Sequence, residues 1–371
     1  MGKRENGEGS ISWDKSRGKY RASIIDINGK RLFKRFNTRD EAKMWLGEMK
    51  AQFVRQEYTI PSNITLSEWI IEWMKTFKSN LKISTKYEYL FRLKYIEPIA
   101  NLPLQNITAF TIQKFLNDLE SDSKRERTYI LLYSAVKKAY QLGLINKNFM
   151  SVVERPKVIR KNIEIFTTEE LHKIFSYLKD KNTPAKYRKF YIMILLAATT
   201  GIRLGELLAL KWKYVNLHEG TIKIVSSIQH INGIGVYENS PKTEAGKRVI
   251  TLPVEVLSLL KSMKYGKENI IFINNELEYV FRTRNKTAYS SENFIHQYWK
   301  PILLNAGVKY KNFHVLRHTH ATQLLAAGVP ILEVSKRLGH SKASHTLDLY
   351  GHAIPNLDKN IAKQVSKIYA L

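Results

Sequence analysis

Residues 313–350 read FHVLRHTHATQLLAAGVPILEVSKRLGHSKASHTLDLY, and the fold of the C-terminal half turns on them. His314 and Arg317 stand three apart where a helix begins, so both project from one face. His318 is expected on a different face from His314. Gly328 ends that helix, Ile331 to Leu338 fit a second, short helix stopped by Gly339, and His340 leads the next segment towards Tyr350. Histidines beside apolar helices are often hydrogen-bonded core residues, and a zinc reading of His314, His318 and His320 is a further alternative. No H-E-x-x-H spacing supports the zinc reading.

Two earlier segments carry chemistry of the same kind. In Thr200–Glu206 (TGIRLGE) an apolar helix ends at Gly201 and Arg203 sits where the next one starts, a place suited to an anion. The plain alternative is a surface arginine paired with Glu206 one turn on. In Ser240–Arg248 (SPKTEAGKR), Lys242 lies between two predicted strands, on a hairpin from which an ammonium could reach a cleft; an ordinary polar turn is the alternative.

Taken as one site, these residues suit phosphodiester cleavage without a metal. Arg203 and Arg317 can bind phosphate oxygens bidentately and offset transition-state charge. His340 can donate a third hydrogen bond, and His314 can take a phenolic proton. Lys242 can protonate the leaving 5′-oxygen. Tyr350 supplies the attacking oxygen and needs such help, its ordinary pKa being about 10. A phosphotyrosine keeps the energy of the broken linkage, so rejoining needs no ATP. Consistently, the chain has no G-x-x-x-x-G-K-[ST] loop and no evident acidic two-metal cluster. No cofactor and no metal is expected.

Composition points the same way. The net charge of +27 repels itself in a compact fold unless a polyanion is the usual partner, and nucleic acid is the obvious one; a merely basic or ribosomal protein is the alternative. The absence of cysteine excludes disulfides, Cys-zinc sites and thiol nucleophiles. The start MGKRENGEGS lacks the apolar run of a signal peptide, and the most apolar stretch, Phe190 to Thr200, is too short to span a bilayer. A soluble, cytoplasmic protein without membrane contact is expected.

At 371 residues, 44% of them hydrophobic, the chain suits two or three domains with sizeable cores. Residues 1–58 read as strands Ser10–Trp13, Lys19–Ile27 and Lys30–Phe36, with Asn28-Gly29 as a type I′ turn, then a helix opened by the Thr38/Glu41 capping box. Alternation puts Leu32, Lys34 and Phe36 on one side of the last strand, and Arg31, Phe33 and Arg35 on the other. Residues 64–156 read as four amphipathic helices. The first carries Leu66, Trp69, Ile70, Trp73 and Phe77 as one apolar stripe. Ser84 caps the second, Thr108 or Thr111 opens the third, and Gly143 closes the fourth. A basic connector precedes residues 165–371, where Thr167 and Glu170 open a mixed domain. Helices are expected near 168–180, 186–200 and 204–212, and strands near 221–228, 234–239 and 247–252. The fold class is therefore multidomain: a small three-stranded sheet plus helix, an all-α helical domain, and a mixed, mainly-α domain with a small antiparallel sheet.

The order and spacing of TGIRLGEL around Arg203, PKTEAGKR around Lys242, HVLRHTHAT from His314, LGH ending at His340 and Tyr350 ten residues later resemble the tyrosine recombinase (phage integrase) family. The resemblance is strong over 167–352. Residues 64–156 resemble the family's helical core-binding domain, and 1–58 the arm-binding domain of integrases from phages and conjugative transposons. One departure is Val315, where many members carry an acidic residue.

The resemblance implies a site-specific DNA recombinase working through a 3′-phosphotyrosyl intermediate. Arg203, Lys242, His314, Arg317 and His340 would form the phosphate pocket, with Tyr350 as nucleophile and Glu206 orienting Arg203. It further implies double-stranded DNA with core and arm sites as partner and a homotetramer passing through a Holliday junction. The core-binding and catalytic domains would form a C-shaped clamp, with an excisionase and a host DNA-bending protein as candidate helpers. Pro355–Leu371, with Ile361, Val365 and Ile368 at helical spacing, would dock on a neighbouring protomer; packing on its own domain is the alternative. The competing functions are a type IB topoisomerase-like strand transferase and a DNA-binding protein that has lost the chemistry.

Overall fold

The computed structural model describes residues 9–26, 29–55, 62–158, 163–231, 233–240, 244–265 and 278–350, together with 366 and 369. Lys242, Asn28 and nearly all of the expected tail helix 355–371 lie outside the described residues. The chain divides into two compact units, 1–159 and 160–371. Among the described residues no helix is long and apolar enough to cross a membrane.

The first unit opens with strands β1 (Ser10–Asp14), β2 (Lys19–Ile25) and β3 (Arg31–Phe36), an antiparallel sheet with β2 at its centre. Helix α1 (Arg39–Val54) begins at the Thr38/Glu41 capping box and packs Ala42 and Met49 against Ala22 and Ile24. The register Tyr20↔Phe36, Ala22↔Lys34, Ile24↔Leu32 sets those six residues on the face towards α1. It leaves Lys19, Arg21, Arg31, Phe33 and Arg35 on the open face. Period-2 alternation had separated the two sets on β3, and the pairing carries the division across the sheet.

Next come α2 (Leu66–Phe77), α3 (Ile83–Leu93), α4 (Glu97–Ala100), α5 (Ala109–Asp118) and α6 (Asp122–Gln141). Trp69, Ile70, Trp73, Ile112, Leu116, Leu131 and Val136 share one core, and the Trp69 indole N–H donates to the Ala135 carbonyl at 2.9 Å. Two expectations fail here. Phe77 leaves the stripe at 43% exposure, its ring capped by the Lys138 ammonium 4.5 Å away, because it sits in the last turn where the bundle no longer covers it. Ser84 caps nothing; Lys82 holds the cap position of α3 and Ser84 falls inside the first turn. Thr108 and Ser121 are the caps of α5 and α6.

The second unit contains α7 (Thr168–Lys179), α8 (Ala185–Arg188), α9 (Tyr191–Thr200) and α10 (Leu204–Leu208). It continues with β4 (Val215–Asn216), β5 (Thr221–Ile224), β6 (Ser227–Ile231), β7 (Gly235–Asn239) and β8 (Arg248–Thr251). Helices α11 (Val254–Tyr265), α12 (Ser291–Phe294), α13 (Lys300–Asn305), α14 (Val315–Ala326), α15 (Ile331–Leu338) and α16 (Ala343–Tyr350) complete it.

The expected strand 221–228 is two strands in two sheets. β5 pairs with β4 and β8, while β6 forms a separate hairpin with β7. The chain changes partner at Ser226, whose hydroxyl donates to Glu238 at 2.7 Å. Periodicity along one strand carries no mark of such a switch. Helix 204–212 also stops short at Leu208. The backbone from Leu210 to Trp212 bonds instead to Glu278 and Val280, which claim the carbonyl and N–H a longer helix would have used.

Candidate active site

Arg317, on the first turn of α14, is only 2% exposed, yet among the described residues no carboxylate bonds to it. Its guanidinium donates to the Gly201 carbonyl at 2.9 Å and the Leu338 carbonyl at 2.8 Å, and meets His340 Nε2 at 2.7 Å. Gly201 closes α9 and Leu338 is the last residue of α15, so both carbonyls belong to helix C-termini. Such ends carry unpaired acceptors and partial negative charge, which is how a buried cation is held here. Gly201 adopts φ +64°, and a Cβ there would lie 2.7 Å from Leu338 Cδ2 and 2.8 Å from His320 Cδ2, so the turn admits only glycine. Burial and neighbouring Arg203 push the Arg317 pKa down to about 9, and it remains charged at neutral pH.

Arginine has no acceptor, so His340 Nε2 must accept from Arg317. Neutral His340 therefore carries its proton on Nδ1 and donates to Thr346 Oγ1, 2.8 Å away and fully buried. Thr346 is a site residue that the sequence did not mark.

Arg203 precedes α10, as expected of it. Its backbone N–H and one guanidinium N–H both donate to Glu206, at 3.1 and 2.8 Å. The Arg203 side chain is 38% exposed, whereas the Glu206 carboxylate is buried and gripped from its other side by Arg248 at 2.8 and 3.2 Å. Burial alone would raise the Glu206 pKa; Arg248 and Arg203 overcome it and hold the carboxylate ionised. Arg248 also donates through Nε to the Arg337 carbonyl, tying β8 to α15. Within the sequence Arg248 looked like the end of a polar turn. Its signal was the alternation of β8, which turns this side chain inward with Ile250.

Tyr350, the last residue of α16, is 0% exposed and packs with Ala321, Leu325, Val334 and Leu338. Its hydroxyl lies 2.8 Å from His318 Nδ1. Burial raises its pKa against the lowering pull of Arg317 and Arg203, so the phenol stays protonated at neutral pH. The expectation that His318 lies on a different face from His314 is wrong. Residues four apart are neighbours on a helix, and the two rings meet edge-to-face with centroids 4.8 Å apart. The three histidines read as possible zinc ligands take different partners: His318 holds Tyr350, His320 accepts from Arg337 at 3.2 Å, and His314 stands at the exposed edge of the site.

The description "Phage integrase family" fits residues 164–356, and "Phage integrase, N-terminal SAM-like domain" fits 65–120. The chain belongs to the phage integrase family. It is a tyrosine recombinase, an enzyme that breaks and rejoins DNA at specific sites. Among its relatives, a XerC-like tyrosine recombinase of Caldanaerobacter subterraneus subsp. tengcongensis is 29% identical over 94% of this chain and 96% of its own. The ICEBs1 integrase of Bacillus subtilis is 24% identical over 92% and 94%. The fold matches the Tn1549 transposon integrase solved with a circular intermediate DNA, with TM-score 0.67 and 20% identity over 81% of this chain and 99% of that one. It also matches a lambda integrase from a tetramer bound to a Holliday junction, with TM-score 0.56 and 18% identity over 90% and 96%.

The electrostatics of this recombinase predict how its stability responds to pH. The His314 and His320 pKa values are pushed down to about 4, and that of His318 is also lowered, burial being the first cause in each. His314 as a residue is exposed, so His320 and His318 carry most of the effect. An unfolded histidine titrates near about 6.5. Below that pH the unfolded chain takes up protons that the folded chain refuses, and stability falls as pH drops from about 6.5 towards 4. Glu206, whose folded pKa is lowered, adds a loss in the same direction at still lower pH. Thermal unfolding at pH 7.5 and pH 5 should show a lower midpoint at pH 5; an equal or higher midpoint there would contradict the assignment.

Proposed function

We propose that Tyr350 attacks the scissile phosphate and becomes joined to the 3′ end of the DNA, within a pocket formed by Arg203, Lys242, His314, Arg317 and His340. The observation that carries this is the Tyr350 hydroxyl, buried beside Arg317 and hydrogen-bonded to His318. A phenol so placed has cations at hand for a phosphate and an imidazole at hand for its proton. Arg203, half open to solvent, and Arg317, fixed between two helix ends, would neutralise the phosphate oxygens. His340 would add a third contact by turning its Nδ1–H from Thr346 to a phosphate oxygen once the phosphate arrives. Lys242 would give its proton to the leaving 5′-oxygen. Glu206, braced by Arg248, would orient Arg203. The tyrosyl proton passes to the histidine pair at the start of α14, His314 and His318. Rejoining reverses these steps with a different 5′-hydroxyl. The test is a nicked suicide duplex carrying the recombination site, incubated without metal and scored for covalent protein–DNA adduct.

We further assign residues 1–58 to arm-type DNA, 64–156 to core-site DNA and 165–371 to catalysis. Four protomers would act on two sites, with an excisionase and a host DNA-bending protein as helpers. The open face of β1–β2–β3 supports the arm assignment. Phe33 is 49% exposed there, with the guanidinium carbons of Arg21 and Arg35 4.3 and 5.3 Å from its ring centre and Lys19 and Arg31 on the same face of the sheet. A basic, aromatic sheet face of this size can enter a major groove. Replacing the exposed Lys19 and Arg31 by alanine should weaken distal-site binding and reduce the slope of log affinity against log salt by roughly 2. Core-site binding should stay intact. Gel shifts at several salt concentrations measure both, and loss of core-site binding with the distal site spared would overturn the assignment.

A further inference from the structure

We propose that His318 is the immediate proton acceptor for the Tyr350 hydroxyl and thus a catalytic residue, with His314 standing behind it at the site's edge. The inference rests on Tyr350 being the nucleophile. His318 Nδ1 is 2.8 Å from the phenolic oxygen, the distance at which a proton can cross directly. Among the described residues, Arg317 is also close to that oxygen, and it has only donors and cannot receive a proton. A phenol facing a guanidinium presents its lone pairs to it, and the O–H bond is left to point at the imidazole. His318 Nδ1 then accepts, and its Nε2 carries the ring proton.

His314 is placed differently. It sits one turn earlier, at the cap of α14, exposed, with its ring against the edge of His318. Among the described residues, the charged and titratable groups facing His318 are Arg317 on its own helix, His314 at the cap of that helix, and Tyr350 on α16. Burial and Arg317 keep His318 neutral before DNA binds, the form a proton acceptor needs. A phosphate arriving on Arg317 and Arg203 offsets the positive charge that disfavours imidazolium.

The step balances. The Oη–H bond of Tyr350 breaks, its proton moves to His318 Nδ1, and the Oη electron pair forms the bond to phosphorus. The P–O5′ bond breaks, its pair leaves on O5′, and Lys242 supplies the proton that O5′ takes up. On rejoining, the imidazolium of His318 returns its proton to the departing tyrosyl oxygen. No redox change occurs.

Single-turnover cleavage of a nicked suicide duplex by the full-length protein tests this, with oxygen or sulfur at the leaving 5′ position. Sulfur departs without a proton donor, so the second substrate reports nucleophile activation alone. His318→Ala should slow cleavage of both substrates by about 10²- to 10⁴-fold with DNA binding unchanged, and added imidazole should restore part of the rate. His318→Gln, which fills the same space and still accepts a hydrogen bond but takes up no proton, should be equally slow. Both variants should lose the acidic limb of the pH–rate profile. Restoration of the wild-type rate by glutamine would show that the contact only positions Tyr350 and would overturn the proposal. So would sulfur-substrate cleavage by His318→Ala at the wild-type rate, or an effect confined to His314→Ala. Tyr350→Phe separates the two levels: adduct in that variant sinks the nucleophile itself, whereas a dead Tyr350→Phe beside an active His318→Gln sinks only the role of His318.

Discussion

Tyr350→Phe, which lacks the proposed attacking oxygen, is expected to bind its core site with wild-type affinity and form no covalent adduct, a loss of at least about 10⁴-fold in cleavage. The fold predicts this clean separation. The ring keeps its contacts with Ala321, Leu325, Val334 and Leu338, and phenylalanine occupies the same space. What disappears is one hydroxyl and its hydrogen bond to His318 Nδ1, worth about 1 kcal/mol net. His318 is half-buried and can turn to water. The unfolding midpoint should therefore move by only a few degrees, with cleavage removed altogether. Adduct is read after denaturing electrophoresis of the suicide-substrate reaction, and binding by gel shift of the same samples. Persistent adduct would mean that another of the chain's tyrosines attacks.

Much of this site was legible before any coordinates, because its parts announce themselves locally. Helix starts at Thr38, Thr108 and Thr167 are marked by residues whose side chains cap within three positions. The glycines that end α9 and α15 mark the two carbonyl ends between which Arg317 is held. Arg317 itself was visible as a cation at a helix start, but its depth was not. Burial depends on α9 and α15, more than a hundred residues and some twenty residues away, meeting at one point. Arg248 was missed for the same reason: its bidentate partner Glu206 lies 42 residues back, and nothing in a turn-like GKR signals that pairing. The error over His318 was of another kind. A spacing of four is a same-face spacing, and with that rule applied the contact with Tyr350 was within reach. The strand that divides at Ser226 was out of reach, since period-2 alternation is blind to which sheet a strand joins.

Arg317 offers the sharpest contrast between stability and chemistry, because Arg203 is proposed to serve the same phosphate from a very different setting. Arg317→Ala removes a buried cation together with the donors for the Gly201 and Leu338 carbonyls. Each orphaned carbonyl costs about 1–3 kcal/mol, and the emptied space between α9 and α15 adds to that. Such a loss is a large share of the stability of an ordinary domain. Arg203→Ala leaves Glu206 still paired with Arg248, and its side chain is already 38% exposed, so its unfolding midpoint in denaturant should shift far less. Cleavage should fall in both variants by at least about 10²- to 10³-fold, the cost of losing one preorganised donor to a developing oxyanion. Arg317→Lys refines the comparison. A lysine keeps the charge, but its point-like ammonium cannot span two helix ends as the planar fork does. It should recover part of the stability of Arg317→Ala and little of the rate. Equal midpoints for Arg203→Ala and Arg317→Ala would show that the helix-end carbonyls do not depend on Arg317, and the account of how this cation is buried would fail even if the chemistry survived.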